Sequence, residues 1–174
     1  MFLNRIAPAV AAIALMSAVT LAQGAKPTDP QIAHIAYTAG VLDITAAQQA
    51  LKKTQNAEVR SFAEGMIKDH KTVNKLALDL VAKLKVTPED NDTSRGLTKA
   101  ADAKRAELEK LSGAAFDKAY MANEVAYHKT VNGALETVLI PSATNAELKS
   151  LLQTGLKLFQ GHQQHAAHAA MSVK

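Results

Sequence analysis

The chain has 174 residues, with 20 Lys and Arg against 16 Asp and Glu for a formal net charge of +4; 48% of residues are hydrophobic, 4% are aromatic and none is cysteine. Its basic residues are scattered rather than interleaved with aromatics, which argues against nucleic-acid binding and leaves the charge as an aid to solubility. Without cysteine there is no disulfide, thiolate metal site or lipid-attachment thiol, so stability must come from packing or a bound metal.

Residues 1–25, MFLNRIAPAVAAIALMSAVTLAQGA, carry one basic residue, Arg5, then an apolar run from Ile6 to Leu21 that ends in small residues. That is the layout of a secretory signal peptide, with cleavage expected after Ala22 or Ala25. The mature chain, 26–174, is expected to be a single domain, periplasmic or secreted, with no stable membrane insertion after cleavage. Its abundance of Ala, Leu, Lys, Gln and Glu predicts helix throughout.

Asp29-Pro30 predicts an N-cap and a first-turn proline for a helix that reaches about Lys53. Ile32, Ile35, Ala36, Ala39, Leu42, Ala46 and Ala50 share one face, and Asp43 falls in its middle. His34 projects to the opposite side. The small residues Ala39, Gly40, Ala46 and Ala47 would let a neighbouring helix come close. A turn at Gln55-Asn56 introduces a second helix, 57–85, whose stripe of Val59, Phe62, Ala63, Met66, Val73, Ala77, Leu80, Val81 and Leu84 is centred on His70, with Asp69 at its edge.

The polar stretch VTPEDNDTSRG, 86–96, predicts a crossover loop, followed by an auxiliary helix over 97–111. Ser112-Gly113 breaks it, and a third long helix is expected over 115–138. Its segment YMANEVAYHKTVN sets Glu124 and His128, four residues apart, within an apolar stripe of Phe116, Tyr120, Tyr127, Val131, Leu135 and Val138. A buried carboxylate is costly unless it is paired, hydrogen-bonded or bound to metal. Ile140-Pro141-Ser142 predicts a turn, and a fourth long helix over 145–171 turns Leu148, Leu151, Leu152, Leu156, Phe159, His162, Ala166 and Ala169 inward. His165 lies on the edge of that stripe and His168 outside it.

The pentapeptide HKTVN occurs at 70–74 and again at 128–132, each His preceded at eight residues by an aromatic, Phe62 or Tyr120. We read this as two helices solving one packing problem around an inward His. Four long amphipathic helices, two short turns and one long connection predict an all-α, up-down four-helix bundle. Asp43, His70, Glu124, His128 and His162 each project inward near mid-helix, which is how such bundles build metal sites.

With Asp43 in the first helix, FAEGMIKDH at 62–70, SGAAFDKAY at 112–120, His128 and His162, the chain resembles the periplasmic family known as domain of unknown function 4142, whose members are often labelled outer membrane proteins. The resemblance covers about residues 30–170 and implies a ferritin-like fold with the auxiliary helix in the crossover. Ferritin-like di-iron sites place a Glu three residues before each of two His ligands; here those places hold Ile67 and Phe159. The remaining donors are rich in imidazole, which suits Zn or Cu ahead of Fe.

The reading is therefore an exported, non-enzymatic bundle that binds one divalent metal ion through Asp43, His70, Glu124, His128 and His162. The alternatives are a metal-dependent ferritin-like oxidoreductase, or a metal-free interaction module whose inner polar residues only specify packing. No Gly-rich phosphate loop or nucleophile elbow is present.

Overall fold

A computed structural model describes residues 26–173; the expected signal peptide and its cleavage sites lie outside the described residues. The described chain folds into helices α1 (Asp29–Lys53), α2 (Ala57–Leu84), α3 (Asp92–Glu109), α4 (Gly113–Ala134), a π-helical turn (Leu135–Leu139), α5 (Ile140–Ser142) and α6 (Ala146–Ser172). Among the described residues there is no strand, and no helix is long and apolar enough to cross a membrane.

Three-residue connections make α1 and α2 one hairpin, and α4 and α6 form the other. Asn56 and Asn145 cap the second helix of each hairpin, their side-chain oxygens accepting from the N–H groups two and three residues on. The capping of α1 differs from expectation. Thr28 is its N-cap and forms a reciprocal pair with Gln31, while Asp29 is the first helical residue. The Asp29 carboxylate instead accepts from the Thr144 and Asn145 N–H groups, both at 2.9 Å, and from the Thr144 hydroxyl at 2.6 Å. It therefore pins the start of α6 to the start of α1.

The crossover also departs from the expected boundaries. Asn91 caps α3, which begins five residues before the predicted 97, because Asn91, Asp92 and Ser94 act as capping residues rather than as loop. The α3 helix is itself the crossover: at about 1.5 Å per residue it spans about 27 Å. Its start is tied to α1 by the Asn91 amide donating to the Gln31 carbonyl (3.4 Å). Its end is tied by Gln49 donating to the Arg105 carbonyl (3.0 Å) and Lys53 to the Glu109 carbonyl (2.6 Å). The chain is thus carried back along the bundle, and α4 starts at the same end as α2. This is the ferritin-like up-down arrangement, with α2 parallel to α4.

The third long helix does not stop at 138. Pro141, expected in a turn, lies in α5, and the helical path continues through the π turn to Ser142. Proline cannot donate to the carbonyl four residues back, and its ring crowds that carbonyl. Widening the preceding turn into a π-helical one accommodates that defect. The chain reverses only at 143–145.

Two apolar clusters fill the bundle. One joins Ala47 and Ala50 to Val59, Phe62, Met66, Phe116, Tyr120, Met121, Ala166 and Ala169; the other joins Ile32 and Ile35 to Leu135, Leu139, Leu148 and Leu152. Complete burial of each large side chain contributes about 1.5–3 kcal/mol, so the first cluster, which holds Phe62, Phe116 and Tyr120, anchors its end firmly. In the second, the facing part of α2 stays half-buried at Val73, Ala77, Leu80 and Val81. The residues between the clusters are polar.

Candidate metal centre

All five residues singled out in the sequence are buried between the two apolar clusters: Asp43 is 2% exposed, His70 4%, Glu124 1%, His128 1% and His162 5%. Each of the four bundle helices contributes at least one. The His70 Nε2 lies 3.0 Å from Asp43 Oδ2, and the His128 Nε2 lies 3.3 Å from the same oxygen. Despite those distances, neither nitrogen nor either Asp43 oxygen has the alignment of a hydrogen bond. The imidazole rings of His70, His128 and His162 surround one point, with centroids 5.3–6.0 Å apart. Glu124 stands beside them, its Oε2 3.8 Å from the His128 Nδ1 and without a hydrogen bond. Two overlapping sets, His70-His128-His162 and Asp43-Glu124-His128, each offer three donor atoms within 4.8 Å of one another.

The surroundings decide which nitrogen each ring presents. The His128 Nδ1–H donates to the Glu124 carbonyl, four residues back on the same helix, at 3.0 Å, which leaves Nε2 as the free lone pair. The His162 Nε2–H donates to Asp69 Oδ2 at 3.0 Å, so its Nδ1, buried and without a partner, is the free one. A carboxylate or carbonyl on the far nitrogen is how proteins fix the tautomer of a ligating histidine. His70 is stacked on Phe159, centroids 4.7 Å apart and planes 12° apart, and neither of its nitrogens is hydrogen-bonded.

Burial pushes the Asp43 carboxyl up, but the imidazoles, His70 foremost and then His128 and His162, outweigh it and hold Asp43 below the ordinary range, so it is ionised. Burial and then the nearby Asp43 charge push Glu124 well above its usual range, which favours its protonated form in the metal-free protein. Desolvation lowers His128, and it lowers His162 to about 4, so both rings are neutral near pH 7. Neutral imidazoles and one carboxylate are the forms in which these side chains bind cations. Tyr120 and Tyr127 are pushed well above 10 by burial and by Asp43 and Glu124. The Tyr127 hydroxyl donates to the Ala39 carbonyl at 2.8 Å, bracing α4 against α1 beside Asp43.

The other histidines stay out of the cluster. His165 and His168 are exposed, His165 resting edge-on against Phe62 with centroids 5.2 Å apart. His34 is not on a free surface as its projection indicates. It is half-buried beside Ser94, Arg95 and Thr98, because α3 covers that side of α1.

Three residues of the neighbourhood were not among the predicted donors. Asp69 projects only to the edge of its stripe, yet it reaches His162. Asn74 and Asn132 are 8% and 5% exposed and lie four residues after His70 and His128. The repeated HKTVN was their signal. Because α2 and α4 run parallel, the repeat stacks matching layers, with Phe62 on Tyr120 at 6.3 Å and His70 against His128 at 6.0 Å.

The fold has a counterpart in the crystal structure of a protein from Streptomyces coelicolor named as a secreted member of domain of unknown function DUF305. It superposes with a TM-score of 0.67 at 12% identity, over 79% of this chain and 88% of that one. No curated protein matches the chain. Residues 14–169 match the family described as domain of unknown function DUF4142, and the match over nearly the whole sequence places the chain in that family.

Proposed function

We propose that this is an exported helical-bundle protein that binds one divalent metal ion through Asp43, His70, Glu124, His128 and His162, Zn²⁺ or Cu²⁺ ahead of Fe²⁺, in the service of metal homeostasis or envelope stress. The observation that carries the reading is the convergence of buried imidazole nitrogens and carboxylate oxygens from four helices, several of them without hydrogen-bond partners. His128 Nε2, His162 Nδ1 and Asp43 Oδ1 lack hydrogen bonds in the buried core, where leaving such groups unsatisfied costs about 1–3 kcal/mol each. A cation in their midst would satisfy them together.

Charge sets the number of ions. Asp43 supplies one negative charge and Glu124 a second once a cation displaces its proton, which neutralises one divalent ion. A second ion would leave excess positive charge in a low-dielectric interior. The places where a di-iron site carries its extra carboxylates hold Ile67 and Phe159, so binding without oxygen chemistry follows. Export rests on the N-terminal pattern and on the name of the Streptomyces relative.

The test is to add Fe²⁺ and oxygen to the metal-free protein and follow Fe³⁺ absorbance and iron content. Slow oxidation no faster than in buffer is expected. Rapid Fe³⁺ formation at two irons per chain would overturn the reading in favour of a ferritin-like oxidoreductase.

A further inference from the structure

The five donor side chains are nearly sealed from solvent: His162 is the most open at 7%, and the other four are 5% exposed or less. An ion can reach them only past a group that moves. Of the three histidines, His162 alone is bonded to a charged side chain in contact with water. Its Nε2–H donates to Asp69 Oδ2 at 3.0 Å, and the Asp69 side chain is 35% exposed. A single imidazole ring thus stands between a solvent-facing carboxylate and the donor cluster.

The seam between α2 and α6 runs past this pair. On one side of it His70 stacks on Phe159, and on the other Phe62 meets His165 edge-on. One turn before Asp69 stands Gly65, where a Cβ would meet nothing within 4 Å, so that position puts no side chain over the carboxylate. The approach from the opposite direction is poorer. His70 and His128 also line a cavity whose walls are mainly aliphatic, Val73, Ala77, Val131 and Leu135 among them. A divalent ion passing there would shed its water against groups that replace none of it. Asp69 offers oxygen in exchange, and a carboxylate at a rim concentrates cations from solution.

We infer that Asp69 and His162 form the entrance to the cluster, Asp69 capturing a hydrated divalent cation at the rim and His162 acting as the door. The cation displaces the His162 N–H from the Asp69 carboxylate, and the freed ring turns aside to admit it. The ring then closes with Nδ1 toward the ion and Nε2–H again on Asp69. The hydrogen bond that fixes the tautomer of this ligand is therefore also the latch. The inference rests on the metal reading of the cluster and concerns the rate of loading, which that reading leaves open.

Stopped-flow mixing of the metal-free mature protein with Zn²⁺, with the fall in free zinc followed by a fluorescent indicator, reads that rate. Asp69→Asn keeps an acceptor for His162 but loses the charge, so association should slow about tenfold at low ionic strength. Added salt should slow wild type and hardly change this variant, because the steering charge is what salt screens. Asp69→Glu, which keeps the charge, should retain most of the wild-type rate. Ala77→Phe, which fills part of the cavity, should load as wild type does; Ala77→Leu serves if the larger ring disturbs the helices. Asp69→Asn loading at the wild-type rate, even if it releases zinc faster, would leave Asp69 an outer partner only and overturn the inference. Slowing by the Ala77 variant but not by Asp69→Asn would overturn it too, since the ion would then enter through the cavity. Failure of wild type to take up zinc at any time faults the metal reading itself, an outcome distinct from prompt uptake by Asp69→Asn.

Discussion

Glu124 is the residue whose chemistry changes most between the two states we describe. Burial and the nearby Asp43 charge favour its protonated form in the metal-free protein, and a proton held there must leave when a cation binds. An acid with a raised folded pKa stabilises the fold below its unfolded pKa of about 4.3 and loses that contribution as pH rises toward the folded value. Glu124→Gln keeps the neutral form at every pH. The metal-free variant should therefore be at least as stable as wild type at pH 7 by urea unfolding, yet bind zinc more weakly. A variant that is less stable without metal would mean the carboxylate is ionised and paired. Asp69 acts at one remove, holding the His162 tautomer from the half-exposed rim. Asp69→Ala should lower zinc affinity about 10–100-fold, the usual cost of losing an outer partner, with little change in metal-free stability. The inward residues were legible because a helical projection fixes which way a side chain leaves its own helix. Asp69 was not, because its partner is on another helix and periodicity carries no information about that.

At the scale of elements, close packing of α1 on α2 depends on Gly40. A Cβ there would collide with the buried Asn74 side chain. Gly40→Ala gains up to about 1 kcal/mol in helix propensity but overpacks the interface at about 1–3 kcal/mol, so a net loss is expected. Asn74→Ala should relieve it, making the double variant more stable than the sum of the single effects, as thermal unfolding can show. Additive effects would mean that the two residues do not share the contact. At the ends, Asp29→Ala should cost about 1 kcal/mol, a capping-scale loss, by releasing Thr144 and Asn145 from α1. The small residues along α1 announced the close approach, and the Asn56 cap of α2 sat where the turn at Gln55-Asn56 put it. What misled was chemistry with two uses: Asp29 ties down the turn before α6 rather than capping its own helix, polar 91–94 starts α3 rather than prolonging the loop, and Pro141 is absorbed by a π turn.

For the whole molecule, topology is what turns five separate projections into one cluster. The α3 crossover makes α2 and α4 parallel, so the two HKTVN copies meet at one height, between an apolar cluster that is fully packed and one that is not. The number of long helices and the single long connection were written in the sequence pattern. The incomplete burial of this end was not, since Val73, Ala77 and Val81 satisfy an apolar stripe whether or not neighbours close over them. The same core makes the metal-free fold pH-sensitive. The His162 pKa is lowered to about 4 from an ordinary 6.5, so its contribution is full above 6.5 and is lost as pH falls toward 4. The stability difference between wild type and His162→Gln, measured with chelator present, should shrink by roughly 3 kcal/mol from pH 7 to pH 4. A difference that does not vary with pH would place His162 in water.

The most direct test of the central claim is equilibrium dialysis of the mature protein against Zn²⁺, with bound zinc counted per chain. One tightly held ion is predicted for wild type and none for His70→Ala/His128→Ala with its helical circular dichroism preserved. Wild type and the double variant retaining the same zinc, or wild type retaining none, would contradict the account.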